Sequence, residues 1–108
     1  MVTSVKCFFA YPSKPPSIPE TIKTAIKEIN SSSLCKIKSW EECRVGGKIV
    51  IDVICREINE ADIFCADLTG SNPNVMFELG YAIARKKRIW VILDTSIEES
   101  EKNFEQLI

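Results

Sequence analysis

The sequence predicts an α/β domain built on a parallel, doubly wound sheet, and three observations carry that reading. β-prone apolar runs alternate with segments of helical periodicity, in the order βαβαβαβα. Strands separated by helices imply right-handed crossovers and parallel pairing. The chain has 108 residues, 45 % of them apolar, which suits one domain with a real core.

Each element has its own signature. Residues 5–11 (VKCFFAY) form an apolar first strand that stops at Pro12, and Ser13-Lys14-Pro15-Pro16 follows as a loop. A helix opens at Ser17 or Ile18 with Pro19 and Glu20 in its first turn, and Ile22, Ala25, Ile26 and Ile29 give it one apolar face. Asn30-Ser31-Ser32-Ser33 breaks it. Residues 34–40 alternate apolar and lysine, a half-exposed strand toward a sheet edge. Residues 41–47 read as a loop ending in Gly46-Gly47, and residues 48–61 as a helix with Val50, Ile51, Val53, Ile54 and Ile58 on a broad apolar face.

Residues 62–68 (DIFCADL) form a buried strand, followed by a turn at Thr69-Gly70-Ser71. Asn72 caps the next helix, Pro73 takes its first position, and the helix runs to about Lys86. Residues 87–94 (KRIWVILD) form a fourth, near-continuously apolar strand. Residues 95–108 start polar and read as a further helix carrying Phe104, Leu107 and Ile108. A sheet of this kind usually has a fifth strand, so residues 1–108 are expected to be one domain, the N-terminal part of a longer or fused chain.

Composition narrows the function classes. Fourteen basic and fifteen acidic residues leave a net charge of −1, without the basic excess of a nucleic-acid binder. Arg85-Lys86-Lys87-Arg88 is explained by the helix dipole and solvation. No apolar run approaches the roughly 20 residues of a membrane span, and residues 1–11 lack the pattern of a signal peptide. The five cysteines are odd in number and include no Cys-x-x-Cys, which points to buried thiols in a reducing, cytoplasmic compartment. The chain has no histidine, which together with unclustered cysteines argues against a metal site. Chemistry therefore falls to carboxylates, hydroxyls, lysines and backbone groups.

Parallel sheets bind ligands beyond the carboxyl ends of their strands, where the order reverses. With order 2-1-3-4 the crevice lies between the first and third strands. Its walls are the loop from Tyr11 through Pro12 and Ser13 to Ser17 and the segment from Asp67 to Asn74, with residues 40–47 as a candidate lid. Gly70 and the N–H groups of the following helix are candidates to hold a phosphate or diphosphate, against the plainer reading of an ordinary capped turn. Helical spacing puts Val75, Met76, Leu79 and Ile83 on the core face and Asn74, Glu78, Tyr81, Ala82 and Arg85 on the other. Glu78 is then either solvated and paired with Arg85 or leaning over the crevice.

The run Asp67-Leu68-Thr69-Gly70-Ser71-Asn72-Pro73-Asn74-Val75-Met76-Phe77-Glu78-Leu79-Gly80-Tyr81-Ala82-Ile83-Ala84, with the basic run and strand behind it, resembles a bacterial TIR-like (Toll/interleukin receptor) nucleotide-binding branch. That branch lies close to the nucleoside 2-deoxyribosyltransferases. The resemblance spans nearly the whole chain: residues 5–13 match the first-strand motif, residues 40–47 the mobile loop, and residues 72–82 are the most specific element. It implies a three-layer, flavodoxin-like/TIR-like parallel sheet of order 2-1-3-4(-5). It also implies that Glu78 is catalytic, since a glutamate at this place cleaves NAD in enzymatic TIR domains and is the nucleophile in the transferases. Asn74-Val75 stands where the transferases carry Gly-Thr, which favours the TIR-like side; Asn74-Val75-Met76-Phe77 also replaces the TIR Ser-x-Trp-Cys.

The expectation is thus an NAD hydrolase needing no cofactor, with NAD as substrate and a place in bacterial defence signalling. Glu78 would hold the ribose and stabilise its oxocarbenium ion. Thr69 and Gly70 would hold the diphosphate, and Tyr11, Trp40 or Phe77 would stack on a ring. The alternative is a deoxyribosyltransferase-like N-glycosidase, in which Asp67 is the best-placed acid for a purine leaving group; its plainer reading is a cap on the following turn. A further rival is a non-catalytic TIR interaction module. The expected partners are a nucleotide and, on activation, further copies of the chain, with no membrane and no direct nucleic acid.

Overall fold

A computed structural model describes residues 4–96 except 33 and 47. Of the C-terminal helix expected over residues 95–108, residues 97–108, with Phe104, Leu107 and Ile108, lie outside the described residues.

The alternation of the first strand sets the architecture. In β1 (Val5–Ala10), successive side chains point to opposite faces, so Phe8 and Ala10 go one way and Cys7 and Phe9 the other. β1 is central, pairing in parallel with β2 (Cys35–Ser39) on one side and β5 (Ile63–Asp67) on the other. β6 (Arg88–Ile92) joins β5, also parallel. The order β2-β1-β5-β6 is the 2-1-3-4 order expected, a flavodoxin-like arrangement.

Helix α2 (Ile51–Glu60) and helix α3 (Pro73–Ala84) cover one face. Phe8, Ala10, Ile54, Ile58, Phe64, Ala66, Val75 and Ala82 form the main core there. The Phe8 and Phe64 rings stack at 6.2 Å across neighbouring strands. Helix α1 (Ser17–Ser31) packs Ile18 and Ile22 with Tyr11 and Phe9 in a second cluster. α1 runs two residues into the expected break. Its Asn30 then pairs like a peptide group with β2: Ile37 N–H donates to Asn30 Oδ1 (2.7 Å) and Asn30 Nδ2 donates to the Ile37 carbonyl (2.9 Å). These bonds engage backbone groups of a strand at the sheet edge, where they would otherwise be open to another chain.

Three expectations are corrected. The helix read over residues 48–61 starts at Ile51, because Lys48–Ile49 (β4) turns back at Gly46 to pair with Arg44–Val45 (β3). Gly46 sits at φ 59°, the left-handed region that favours glycine. The strand read over residues 87–94 is shorter and carries exposed Trp90, Val91 and Ile92, because no described strand pairs with its outer edge. In α3 the buried stripe is Val75, Glu78 and Ala82, while Ile83 is exposed, so Glu78 faces inward.

Candidate functional site

At the carboxyl end of the sheet, beside the crossover between β1 and β5, lies a cavity of about 320 Å³. Pro12 has no N–H and ends β1, which brings Tyr11 and Ser13 to one wall. The chain leaving β2 enters a 3₁₀ turn (Trp40–Cys43) and contributes Trp40. The first turn of α2 gives Ile51 and Ile54, and the start of α3 gives Asn72, Asn74, Val75, Phe77 and Glu78.

The aromatic wall is braced from behind. Tyr11, 2 % exposed, meets Trp40 at 5.5 Å and Phe9 edge-on at 5.9 Å. Burial pushes its phenol up from its ordinary range; the hydroxyl faces Ser39 and Glu41 without closing a well-formed hydrogen bond to either. Glu41 in turn holds Lys23 of α1 at 2.8 Å, which ties the 3₁₀ turn to α1.

Glu78 is the charged group of this cavity. It is 5 % exposed and makes no ion pair or hydrogen bond among the described residues. Burial alone pushes its carboxyl from 4.5 up to about 7. Arg85, the expected solvent-side partner, donates instead to Asn59 (Nε to Oδ1, 2.7 Å). A carboxylate so placed is poised to ionise when positive charge arrives in the cavity.

Tyr11, Ser13, Trp40, Asn74 and Glu78 are therefore brought together, and Pro12, Asp67, Thr69 and Gly70 are not on the lining. Asp67 is buried at the end of β5, where its Oδ1 accepts the Thr69 N–H at 2.9 Å. Thr69 Oγ1 accepts the Asp94 N–H at 3.0 Å, and Gly70 supplies the turn at φ 73°. These residues shape the turn that delivers α3. The expected diphosphate clasp also loses its donors. Pro73 has no N–H, Asn72 Oδ1 accepts from Asn74 (2.9 Å) and Val75 (3.2 Å), and Met76 donates to the Asn72 carbonyl. Sequence reasoning missed Ile51, Ile54 and Val75 as lining; they sit in first turns that follow strand ends, the signal that could have found them.

No described helix is long and apolar enough to cross a membrane. Among the described residues, no cluster of cysteine, aspartate and glutamate could hold a metal ion.

No family model and no curated protein matches the sequence. Among solved structures, the 2-desoxiribosyltransferase from Leishmania mexicana superposes with a TM-score of 0.65 at 18 % identity. The alignment covers 82 % of this chain and 64 % of that one, so this chain spans less than two thirds of that protein's length. At this identity the likeness is one of fold.

Proposed function

We propose that this chain breaks the N-glycosidic bond of nucleosides, as a deoxyribosyltransferase-like enzyme with Glu78 as its working carboxylate. The observation that carries the reading is Glu78 itself: a buried carboxylate with no ion pair, on a cavity whose far wall is aromatic. The shared fold with a 2-desoxiribosyltransferase supports it, as does the resemblance of residues 72–82 to the motif that carries the transferases' nucleophilic glutamate.

The chemistry follows from charge. As the bond from the sugar to the base lengthens, positive charge builds at the anomeric carbon. A fixed carboxylate in a dry site stabilises that charge far more than water would. Glu78 then either captures the sugar covalently or holds the cation until a second base or water arrives; the leaving base takes its proton from solvent in the open crevice, and the incoming base or water gives one back. Trp40 and Tyr11 offer the flat apolar surface a heterocycle needs, and stacking of this kind contributes about 1–3 kcal/mol per base. Ser13, Asn72 and Asn74 offer polar groups for sugar hydroxyls.

NAD hydrolysis is the second reading. Asn74-Val75 in place of the transferases' Gly-Thr favours it, as does the attraction of a lone carboxylate for a cationic pyridinium. The cavity volume, near the lower end for ligand sites, and the engaged amides of α3 fit a nucleoside better than a dinucleotide. The five free thiols suit a reducing cytoplasm.

The test is incubation of the protein with 2′-deoxynucleosides plus a free acceptor base, with ribonucleosides, and with NAD, products followed by chromatography. Base release or exchange is expected from a deoxynucleoside, with Glu78→Ala slower by at least about a hundredfold, or about 2.7 kcal/mol of transition-state stabilisation. Nicotinamide release alone would select the second reading. Turnover equal in wild type and Glu78→Ala would remove Glu78 from the chemistry, and none from any donor would leave a binding module.

A further inference from the structure

Helix α3 carries Glu78 and packs on the sheet through Val75 and Ala82, with Met76, Leu79 and Tyr81 half-buried against the same core. Two polar fastenings add to that packing. At the near end Asn72 caps the first amides. At the far end Asn59, on the last turn of α2, is gripped three ways. Its Nδ2 donates to Tyr81 Oη (2.7 Å), its Oδ1 accepts from Arg85 Nε (2.7 Å), and its carbonyl accepts from Lys87 Nζ (2.6 Å). Lys87 Nζ also donates to the Ala61 carbonyl at 2.9 Å, closing the end of α2. Glu78 lies between the two fastenings, one turn before Tyr81.

We infer that Asn59, through Tyr81 and Arg85, is a positioning residue that sets how deeply α3 holds Glu78 in the cavity wall. The role in catalysis rests on Glu78 being the working carboxylate; the role in placing it does not. The titratable groups that face Glu78 are the thiols of Cys43, from the 3₁₀ turn, and Cys55, from α2, both pushed up by burial. Cys55 also lies beside the Tyr81 hydroxyl. No neighbouring charge contributes to the shift of Glu78, so its titration reports depth of burial.

Tyr81→Phe removes one hydroxyl and keeps the ring; Asn59→Ala removes the hub. The reading is the Glu78 titration midpoint by carbon-13 NMR, alongside kcat and KM on a deoxynucleoside. In both variants the midpoint is expected to fall from about 7 toward the ordinary 4.5 as water reaches the carboxyl. Loss of placement is expected to lower kcat by about ten- to a hundredfold with KM nearly unchanged. A midpoint that stays put while only the melting temperature falls overturns the inference, whatever the rate does. If Asn59→Ala does not fold, Tyr81→Phe decides. A wild type that turns over no donor defeats the functional reading, and the midpoint still judges the fastening.

Discussion

Glu78→Gln isolates the energetic cost of a buried carboxylate. In the unfolded chain the group titrates near 4.5, and in the folded protein near 7. The native state therefore holds the proton more tightly. The stabilisation this gives is fully present below pH 4.5 and is lost as pH rises through 7. At 1.36 kcal/mol per tenfold change in proton affinity, the loss amounts to about 3 kcal/mol between pH 4.5 and pH 8.5. The chain has no histidine, so apart from the α-amino group little else is expected to titrate in that window. Burial moves the native thiols of Cys7, Cys43 and Cys65 to about 12, 11 and 11, and the unfolded thiols ionise at about 8.5, a loss at the alkaline end that wild type and variant share. Urea unfolding at steps from pH 5 to 8.5 should show wild type losing about 2.5 kcal/mol more than Glu78→Gln does. The variant then becomes the more stable protein at the alkaline end, with a melting temperature higher by on the order of ten degrees. Parallel pH profiles for the two proteins would refute the claim that this carboxyl is buried without a partner.

Catalysis should run the other way: kcat/KM for glycosidic cleavage is expected to rise through about pH 7 as Glu78 ionises, and a rate that falls over that range excludes the carboxylate role. Phe64→Ala opens the stack with Phe8 at the centre of the sheet and should cost about 3–5 kcal/mol, read from urea midpoints at constant slope. Asn72→Ala should cost about 1 kcal/mol, and Asn72→Asp, which keeps an acceptor for the α3 amides, should restore most of it. Alkylation at pH 8 should reach Cys7 and Cys43 only as fast as the protein opens, since both thiols are buried and their pKa values lie at about 12 and 11.

Most of the fold was legible because period and punctuation agree. Alternating lysines marked β2 as an edge, Pro12 ended β1, and Asn72-Pro73 announced α3. Residues 44–49 were not legible, since two-residue strands have no period and their pairing depends on one left-handed glycine. The facing of α3 was missed for a different reason. Apolar residues lie all round this helix, so periodicity could not say which stripe meets the sheet, and small Ala82, one turn on, shares the buried stripe with Glu78. The aromatic side of the site was readable from strand ends. Asp67 and Thr69 were not separable from it, because a strand-end carboxylate that caps its own turn has the same sequence as one that faces a ligand.

The central position of β1 has a consequence in time. Cys7 pairs with Ile63, which follows it by 56 residues, after β2 has already formed on the other flank. At a synthesis rate of about 5–20 residues per second, the middle strand of the sheet waits roughly 3–11 s with one flank bare. Phe8 waits with it, since its stacking partner Phe64 arrives on that same late strand. During translation this chain therefore shows its stickiest surface at its own centre, and a chaperone that shields nascent chains has a defined interval and a defined strand to cover.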